Sequence, residues 1–324
     1  MKHNEDDRSF LLKAEPKLKE LEAIRLAKLK IFGWRKKMAI PIATVITPIL
    51  GYIDYWLFII QRGNEEGVIG ASAGGIALIW AWVTKPKRDY AKAYKTKLLP
   101  EIAGLFGEFT YNVKGKIPMK AMKPSKIVPR HSGYTSEDLF SGEYRGVGIS
   151  FSEIKLAKQR GKRSKIVFNG LAVLLTHGTR KFQGHTILTK DQGKVGKWFK
   201  KQISNLKRAN MVDPEFERLF DVYTSDQTEA RYLIDPLIIE SLKGLYQEYN
   251  GKRLFAAFYD KQVLIMIESP ENHFEPAAIT VPATNEEELL SMKREVAQII
   301  SIVDRLSLYD ARQRRHDERA NLAS

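Results

Sequence analysis

Two long apolar runs, residues 38–61 and 66–84, stand out from a chain that is otherwise mixed in polarity. At a helical rise of 1.5 Å per residue they would reach roughly 36 Å and 28 Å, and the hydrocarbon core of a bilayer is about 30 Å thick. A buried core helix can be as long, so length alone leaves that alternative open. Because only residues 62–65 separate the runs, the pattern favours a transmembrane helical hairpin over residues 38–84. A cleaved signal peptide fits less well, since the first run is longer than a usual signal core.

Basic residues flank both runs on one side, and this asymmetry predicts the orientation of the hairpin. Those nearest to the runs are Lys28, Lys30, Arg35, Lys36, Lys37, Lys85, Lys87 and Arg88. Between the runs, Arg62 stands beside Glu65 and Glu66. The positive-inside rule therefore places both termini in the cytoplasm of a multi-pass protein, which we expect in a bacterial inner membrane. The basic side chains are expected to contact anionic lipid headgroups, so the phospholipid bilayer is the first expected partner.

One acid and a row of small residues lie within the apolar runs. Asp54 is in the first run, at a depth similar to that of Ser72 in the second. A carboxylate near the bilayer centre costs about 3 kcal/mol, so Asp54 is either a proton or ion site or a residue near the outer interface that is protonated or bonded to the other helix. The lack of a basic partner favours the second interpretation. Gly70 and Gly74 have the GxxxG spacing that allows two helices to approach closely.

Beyond the runs, the pattern predicts a cytoplasmic α+β domain over residues 135–310, with a mainly antiparallel sheet and packed helices. Val147, Ile149 and Phe151 alternate with small or polar residues, as in a half-buried strand. Residues 253–268 have the pattern of two apolar strands joined by a tight turn. Strands therefore occur in groups, with helices between the groups, which is typical of α+β folds.

Three further segments complete the predicted organisation. Residues 1–37 form a basic amphipathic helix on the cytoplasmic side, which lies on the inner leaflet or, as the alternative, packs on the cytoplasmic domain. Residues 85–134 are a juxtamembrane helix, interrupted at Pro100, followed by an irregular connector rich in proline and basic residues. Residues 311–324 are a charged tail.

The stretch "FDVYTSDQTEARYLIDP" concentrates Asp226, Glu229 and Arg231 within six residues. An acid, a base and an anion-binding guanidinium at this spacing would suit a hydrolase or transferase acting near the membrane. Local helix signals explain the same residues without a substrate. Ser225 or Asp226 can cap a helix, and Glu229 follows Asp226 at the spacing of a capping box. The cluster is therefore interpreted as structural, with catalysis as the alternative.

The same stretch lies in a longer sequence that resembles a known family. "DPEFERLFDVYTSDQTEARYLIDPLIIESL", "FNGLAVLLTHGTRKFQGHTIL" and "YTSEDLFSGEYRGVGISFSEI" are similar to the bacterial membrane-protein family catalogued as domain of unknown function 3137. The resemblance implies two membrane spans followed by a cytoplasmic domain, and it brings no activity or ligand. It also implies an association with LemA-type membrane proteins, which are genomic neighbours of the family.

The composition excludes several kinds of functional site. The chain of 324 residues has a net charge of +15 and no cysteine, which excludes disulfides and zinc–thiolate sites. Its six histidines lack metal-ligand spacing, and no phosphate-binding loop is present, so no cofactor or metal is predicted. The basic stretches 155–165 and 194–208, the latter with Trp198 and Phe199, leave nucleic-acid binding as a second alternative. Lipid headgroups explain this charge more simply beside membrane spans.

We therefore expect a membrane-anchored interaction module that binds a membrane or cytoplasmic protein, with homo-oligomerisation open.

Overall fold

The computed structural model describes residues 2–60, 70–161, 163–178, 181–190, 197–209, 220–234 and 236–303. The connection between the apolar runs and the charged tail at 311–324 lie outside these residues. The chain divides into two compact units. Unit 1 contains Met1–Leu98 and Glu275–Leu289, and unit 2 contains Leu99–Phe274 and Leu290–Ser324. The domain boundaries given above stay predictions.

Unit 1 contains two long helices. Helix α1, Lys2–Ile60, joins the predicted amphipathic helix and the first apolar run into one element, and helix α2, Gly70–Gly104, contains most of the second run and continues through Pro100 without a break. The two helices run antiparallel, as successive contacts show. Asp54 meets Ser72, Arg35 meets Trp82 and Lys28 meets Asp89.

The apolar part of α1 is exposed. Within the part of the chain that the structure describes, Asp7–Ile60 is the one helix long and apolar enough to cross a membrane, and only 6% of its most apolar stretch is buried. A stretch of this kind is typical of a span that contacts lipid rather than of a buried core helix. By length and composition, α1 is therefore a candidate membrane span.

The N-terminal part of α1 packs against residues 275–289 of the same unit. Its buried side chains recur every three or four residues, at Phe10, Ala14, Leu18 and Leu21, which is one face of a helix. Arg25, only 5% exposed, donates to the Ile279 carbonyl at 2.7 Å, and a carboxylate oxygen of Glu22 accepts from the Ala283 amide at 2.7 Å. Of the two alternatives for the amphipathic helix, packing on protein therefore describes this part of it, whereas Leu26 and Ile31 stay exposed.

Unit 2 is built on an antiparallel sheet. The described strands are β1 Thr110–Asn112, β2 Gly133–Tyr144, β3 Val147–Arg160, β4 Arg163–His177, β5 Thr186–Lys190, β6 Lys207–Arg208, β7 Asp221–Thr224, β8 Arg253–Tyr259 and β9 Gln262–Glu268. The helices are α3 Met119–Met122, α4 Lys197–Gln202, α5 Gln227–Leu233, α6 Pro236–Glu248 and α7 at 286–303, with a 3₁₀ turn at Lys123–Ser125. Among these strands the sheet order is β1-β2-β3-β4-β9-β8-β5-β7-β6. This architecture confirms the predicted α+β class with a mainly antiparallel sheet.

The core of unit 2 lies on the central strands. β8 and β9 form the predicted tight hairpin, whose turn places Asp260 at a φ of 49°. The pairing of β4 with β9 begins at Gly170. A Cβ at this position would lie 2.1 Å from the Ile267 carbonyl oxygen, and φ is +150°, so only glycine fits. The predicted connector is more ordered than its prolines suggested, since it contains β1 and α3.

Candidate functional site

The polar cluster predicted from the sequence lies where β7 leads into α5. Asp226 has an extended backbone and is the N-cap of α5. Its Oδ1 accepts from the amides of Thr228 and Glu229, both at 2.9 Å. These are two of the amides that a helix start leaves without partners, so the carboxylate is used to begin the helix.

Glu229 does not complete a capping box. The Asp226 amide donates instead to Thr224 Oγ1 at 3.0 Å. Glu229 is 9% exposed, and its two oxygens accept from the amides of Gln183 at 2.9 Å and Gly184 at 2.6 Å. A Cβ at Gly184 would lie 2.8 Å from the Asp226 Cβ and 3.2 Å from Glu229 Oε2, so this close approach needs glycine. The carboxylate of Glu229 thus fastens α5 to the segment before β5.

Adjacent polar side chains extend the same connection. The His185 amide donates to Ser225 Oγ at 2.8 Å, and the Ser225 amide donates to the His185 carbonyl at 3.1 Å. The hydroxyls of Thr186 and Thr224 lie 2.8 Å apart in the next register of β5 and β7. Arg231 is exposed and forms no ion pair with any residue that the structure describes. Arg231, the candidate anion-binding residue, is therefore not part of the hydrogen-bond network of this cluster.

His185 also belongs to this region. The sequence did not indicate it, because its histidines suggested a site only through metal-ligand spacing, which His185 lacks. Its Nε2 lies 3.0 Å from the Ser125 carbonyl oxygen, and its ring stacks on Tyr259 at 5.7 Å between centroids. Since a carbonyl only accepts, Nε2 carries the proton of the neutral ring. Burial, reinforced by Lys126, lowers the pKa of His185 and outweighs the opposing bond to Ser125. The Tyr259 hydroxyl donates to the Ala121 carbonyl at 2.9 Å, and burial raises the pKa of Tyr259.

A separate polar pocket lies on the sheet and is small. Its volume is about 120 Å³, and its lining includes the carboxylates of Glu137, Glu153 and Glu271. Glu153 Oε1 already accepts from the His273 amide at 2.6 Å. Pockets that bind small molecules usually measure about 300–1,000 Å³, so this one has the size for a few waters.

Within the apolar runs, Asp54 and Ser72 meet. Asp54 is 7% exposed, and its Oδ2 accepts from the Ser72 amide at 3.0 Å, in the first described turn of α2. This is the interpretation in which the acid bonds to the other helix. Gly74 faces open space, whereas a Cβ on Gly75 would lie 2.1 Å from Leu50 Cδ1. The close helix contact therefore uses Gly75, which the GxxxG spacing of Gly70 and Gly74 did not indicate.

The predicted lipid-contacting residues cluster around an aromatic pair. The rings of Trp34 and Trp82 pack edge to face at 6.0 Å, and Arg35 lies 5.0 Å from the Trp82 ring while donating to its carbonyl at 2.7 Å. Lys87 lies 4.4 Å from the Phe32 ring. The basic residues of this set that are exposed are Lys30, Lys36, Lys37, Lys85, Lys87 and Arg88. Lys28 is held by Asp89 at 3.1 Å.

Together, the sheet and its capped helices define unit 2 as an α+β domain with an extended antiparallel sheet. Residues 166–308 match the family described as "Protein of unknown function (DUF3137)", which supports the resemblance stated above over that part of the chain. The matched range begins in β4 and includes the whole polar cluster. No curated protein and no solved structure matched the chain.

Proposed function

We propose that α1 and α2 anchor the chain in a bilayer and that unit 2 acts at that membrane as an interaction module. The observation that carries the proposal is a continuous exposed apolar surface on these helices. Most of the exposed large apolar side chains of the described residues lie on residues 38–60 and 76–80, with Ile40 at 74%, Tyr52 at 69% and Leu78 at 72%. So extended an apolar surface is unfavourable in water and marks a membrane or protein interface.

The spacing of aromatic residues fits a bilayer. Trp34 and Trp82 form one band, and Tyr55 and Trp56, 61% and 54% exposed, form a second. Trp56 follows Trp34 by 22 positions, which corresponds to roughly 33 Å along a helix. Tryptophan and tyrosine favour the two interfaces of a membrane, whose apolar core is about 30 Å thick. The bands are therefore separated by one hydrocarbon thickness.

The one acid within this span has an internal partner. Asp54 is buried and accepts from the Ser72 amide, so its carboxylate does not face lipid. Polar groups in membrane helices are tolerated when a neighbouring helix satisfies them. This supports a two-helix anchor over a helix that is exposed by accident.

An interaction role for unit 2 is supported by how its polar cluster is used. The carboxylates of Asp226 and Glu229 are occupied by backbone amides, and Arg231 is exposed to solvent. The hydrolase or transferase alternative therefore loses its support. The expected partner is a membrane or cytoplasmic protein, and the resemblance makes a LemA-type protein one candidate. Co-purification of the full chain in mild detergent tests this, and a chain that consistently emerges alone would contradict it.

The anchor predicts a topology with both termini in the cytoplasm. The chain has no cysteine, so single cysteines report cleanly on sidedness. Asn64→Cys is expected to react with an impermeant thiol reagent in intact cells, and Ser324→Cys only after lysis. Both positions lie outside the described residues. Labelling of the C-terminal cysteine in intact cells would overturn this orientation.

A further inference from the structure

The hairpin formed by β3 and β4 extends past its neighbours as a two-stranded ribbon. The pairing of β2 with β3 ends at Ala157, and the pairing of β4 with β9 ends at Gly170. Beyond Ala157 the ribbon continues to a turn at Gly161, whose φ is +62°. Residues 158–161 and 163–166 are all exposed. At about 3.3 Å per residue, the turn extends roughly 13 Å beyond the end of β2.

Four cations share one face of this ribbon. The register pairs Lys158 with Lys165 and Arg160 with Arg163. Side chains alternate between the two faces of a strand, so positions two apart point the same way and all four of these cations lie together. The opposite face at these registers carries Gln159 and Ser164.

This arrangement is unfavourable for the hairpin alone. Like charges directly opposite each other on paired strands destabilise a sheet, and here the two neighbouring pairs on one face, Lys158–Lys165 and Arg160–Arg163, are both of this kind. No acid occurs between Glu153 and Asp191 to offset the charge. An anionic partner would relieve the repulsion, so the charge pattern suits a binding face better than it suits stability.

The observations favour a lipid surface over nucleic acid. Residues 155–167 contain no aromatic side chain, whereas proteins that bind single-stranded nucleic acid stack bases on aromatic rings. Anionic headgroups require only exposed cations near the surface, and each contributes on its own. Unit 2 begins at Leu99, within the last turns of α2, so an anchored α2 would keep the ribbon at a high local concentration of headgroups.

We propose that the face formed by Lys158, Arg160, Arg163 and Lys165 binds anionic phospholipid headgroups of the membrane that α1 and α2 enter. The proposal rests on the anchor described above and deepens it. It assigns unit 2 a second, electrostatic contact with the bilayer, one that depends on lipid charge and on salt.

The test uses the full chain with one introduced cysteine, Ser164→Cys, which lies on the face opposite to the cations and removes none of them. A donor dye there is paired with acceptor-labelled lipid in nanodiscs containing phosphatidylcholine alone or with about 30% phosphatidylglycerol. Energy transfer is expected to rise in the anionic discs and to fall at high salt, because about 1 M salt shortens the Debye length to about 3 Å. The reference label is Glu143→Cys in β2, which lies opposite Gly148 near the other end of β3 and roughly 36 Å away, where little dependence on lipid charge is expected.

A matched pair of variants isolates the face. Changing its four cations to glutamine is expected to abolish the response to phosphatidylglycerol. The control changes four other exposed lysines to glutamine, with the same loss of net charge, and is expected to keep the response. These lysines are Lys114, Lys120, Lys207 and Lys252. Equal transfer in both lipids, or equal behaviour of the two variants, would overturn the proposal. So would a tip label that responds to single-stranded RNA in detergent and not to anionic discs.

Failure of the anchor would be recognised separately, because an anchored chain enters discs of either lipid composition. If the chain stayed in solution, the anchor would be wrong, and sedimentation with vesicles would still decide the role of the ribbon. At about 1 kcal/mol for each basic residue near an anionic surface, the ribbon variant should bind phosphatidylglycerol vesicles roughly 10²–10³-fold more weakly than the control variant. Equal binding by the two variants would exclude the proposed contact.

Discussion

Replacing Glu229 by glutamine tests whether the polar cluster is a structural joint. The carboxylate accepts from the Gln183 and Gly184 amides at 2.9 Å and 2.6 Å. A glutamine of the same shape keeps one acceptor oxygen and points an NH₂ group at the other amide. The variant therefore loses one charge-assisted hydrogen bond and leaves a buried donor without a partner. Each effect is worth about 1–3 kcal/mol, so we expect the free energy of unfolding of unit 2 to fall by about 2–6 kcal/mol.

Two further variants calibrate this value. Asp226→Ala removes the N-cap of α5 and should cost about 1 kcal/mol, with a range of about 0.5–2 kcal/mol. Arg231→Gln changes an exposed side chain on the same helix and should stay within about 0.5 kcal/mol of the unchanged protein. The expected order of destabilisation is therefore Glu229→Gln, then Asp226→Ala, then Arg231→Gln.

Pulse proteolysis across a urea series, on the full chain in mild detergent, measures these differences through the fraction of unit 2 that resists cleavage. The reasoning fails if Glu229→Gln is as stable as the unchanged protein, because the two backbone bonds would then contribute nothing. It also fails if Arg231→Gln is as damaging as Glu229→Gln. Either result would return these residues to consideration as a catalytic group, since catalytic carboxylates are often replaced without loss of stability.

Three more predictions concern other parts of the molecule. Gly75→Leu should separate α1 from α2 and lower the thermal midpoint in detergent, whereas Gly74→Leu, which meets open space, should change it little. Burial lowers the pKa of His185, so the unfolded chain binds more protons than the folded one, and stability should fall as the pH drops below about 6.5. Urea unfolding midpoints at pH 7.5 and 5.5 measure this loss, which should be smaller in His185→Gln than in the unchanged protein. Arg160→Glu places a negative charge directly opposite Arg163 and should stabilise the hairpin by about 0.5 kcal/mol in urea unfolding. The same change should weaken the binding of the chain to anionic vesicles.

The sequence predicted the elements whose signals are local. Two apolar runs joined by a tight turn predicted the hairpin of β8 and β9, and alternation at Val147, Ile149 and Phe151 predicted the start of β3. The order of the strands depends on pairings between distant segments, such as β5 beside both β8 and β7. The periodicity within one segment does not contain that information. The sheet could therefore be predicted to be antiparallel, but the order of its strands could not be predicted.

The residues of the candidate site also divide into those whose role the local sequence predicts and those whose role depends on distant contacts. The role of Asp226 as a cap follows from its position before α5 and could be predicted. The partners of Glu229 lie 46 and 45 residues earlier in the chain, so its apparent capping-box spacing indicated the wrong donor. At the helix contact, the spacing of Gly70 and Gly74 indicated that backbones approach closely without showing which face does so. The answer, Gly75, depends on how α2 is rotated toward α1.

Four acids among the described residues share one use, and it changes where function should be sought. Asp54 accepts from the Ser72 amide, Glu22 from Ala283 and Glu153 from His273, as Glu229 does from Gln183 and Gly184. In each case a carboxylate bonds the backbone of a segment distant in sequence, which stabilises a connection that no regular hydrogen-bond ladder supplies. Acids that resemble catalytic groups in the sequence are thus committed to holding the chain together. The exposed face of Lys158, Arg160, Arg163 and Lys165 is positively charged, so the partner proposed for this face is an anionic lipid surface.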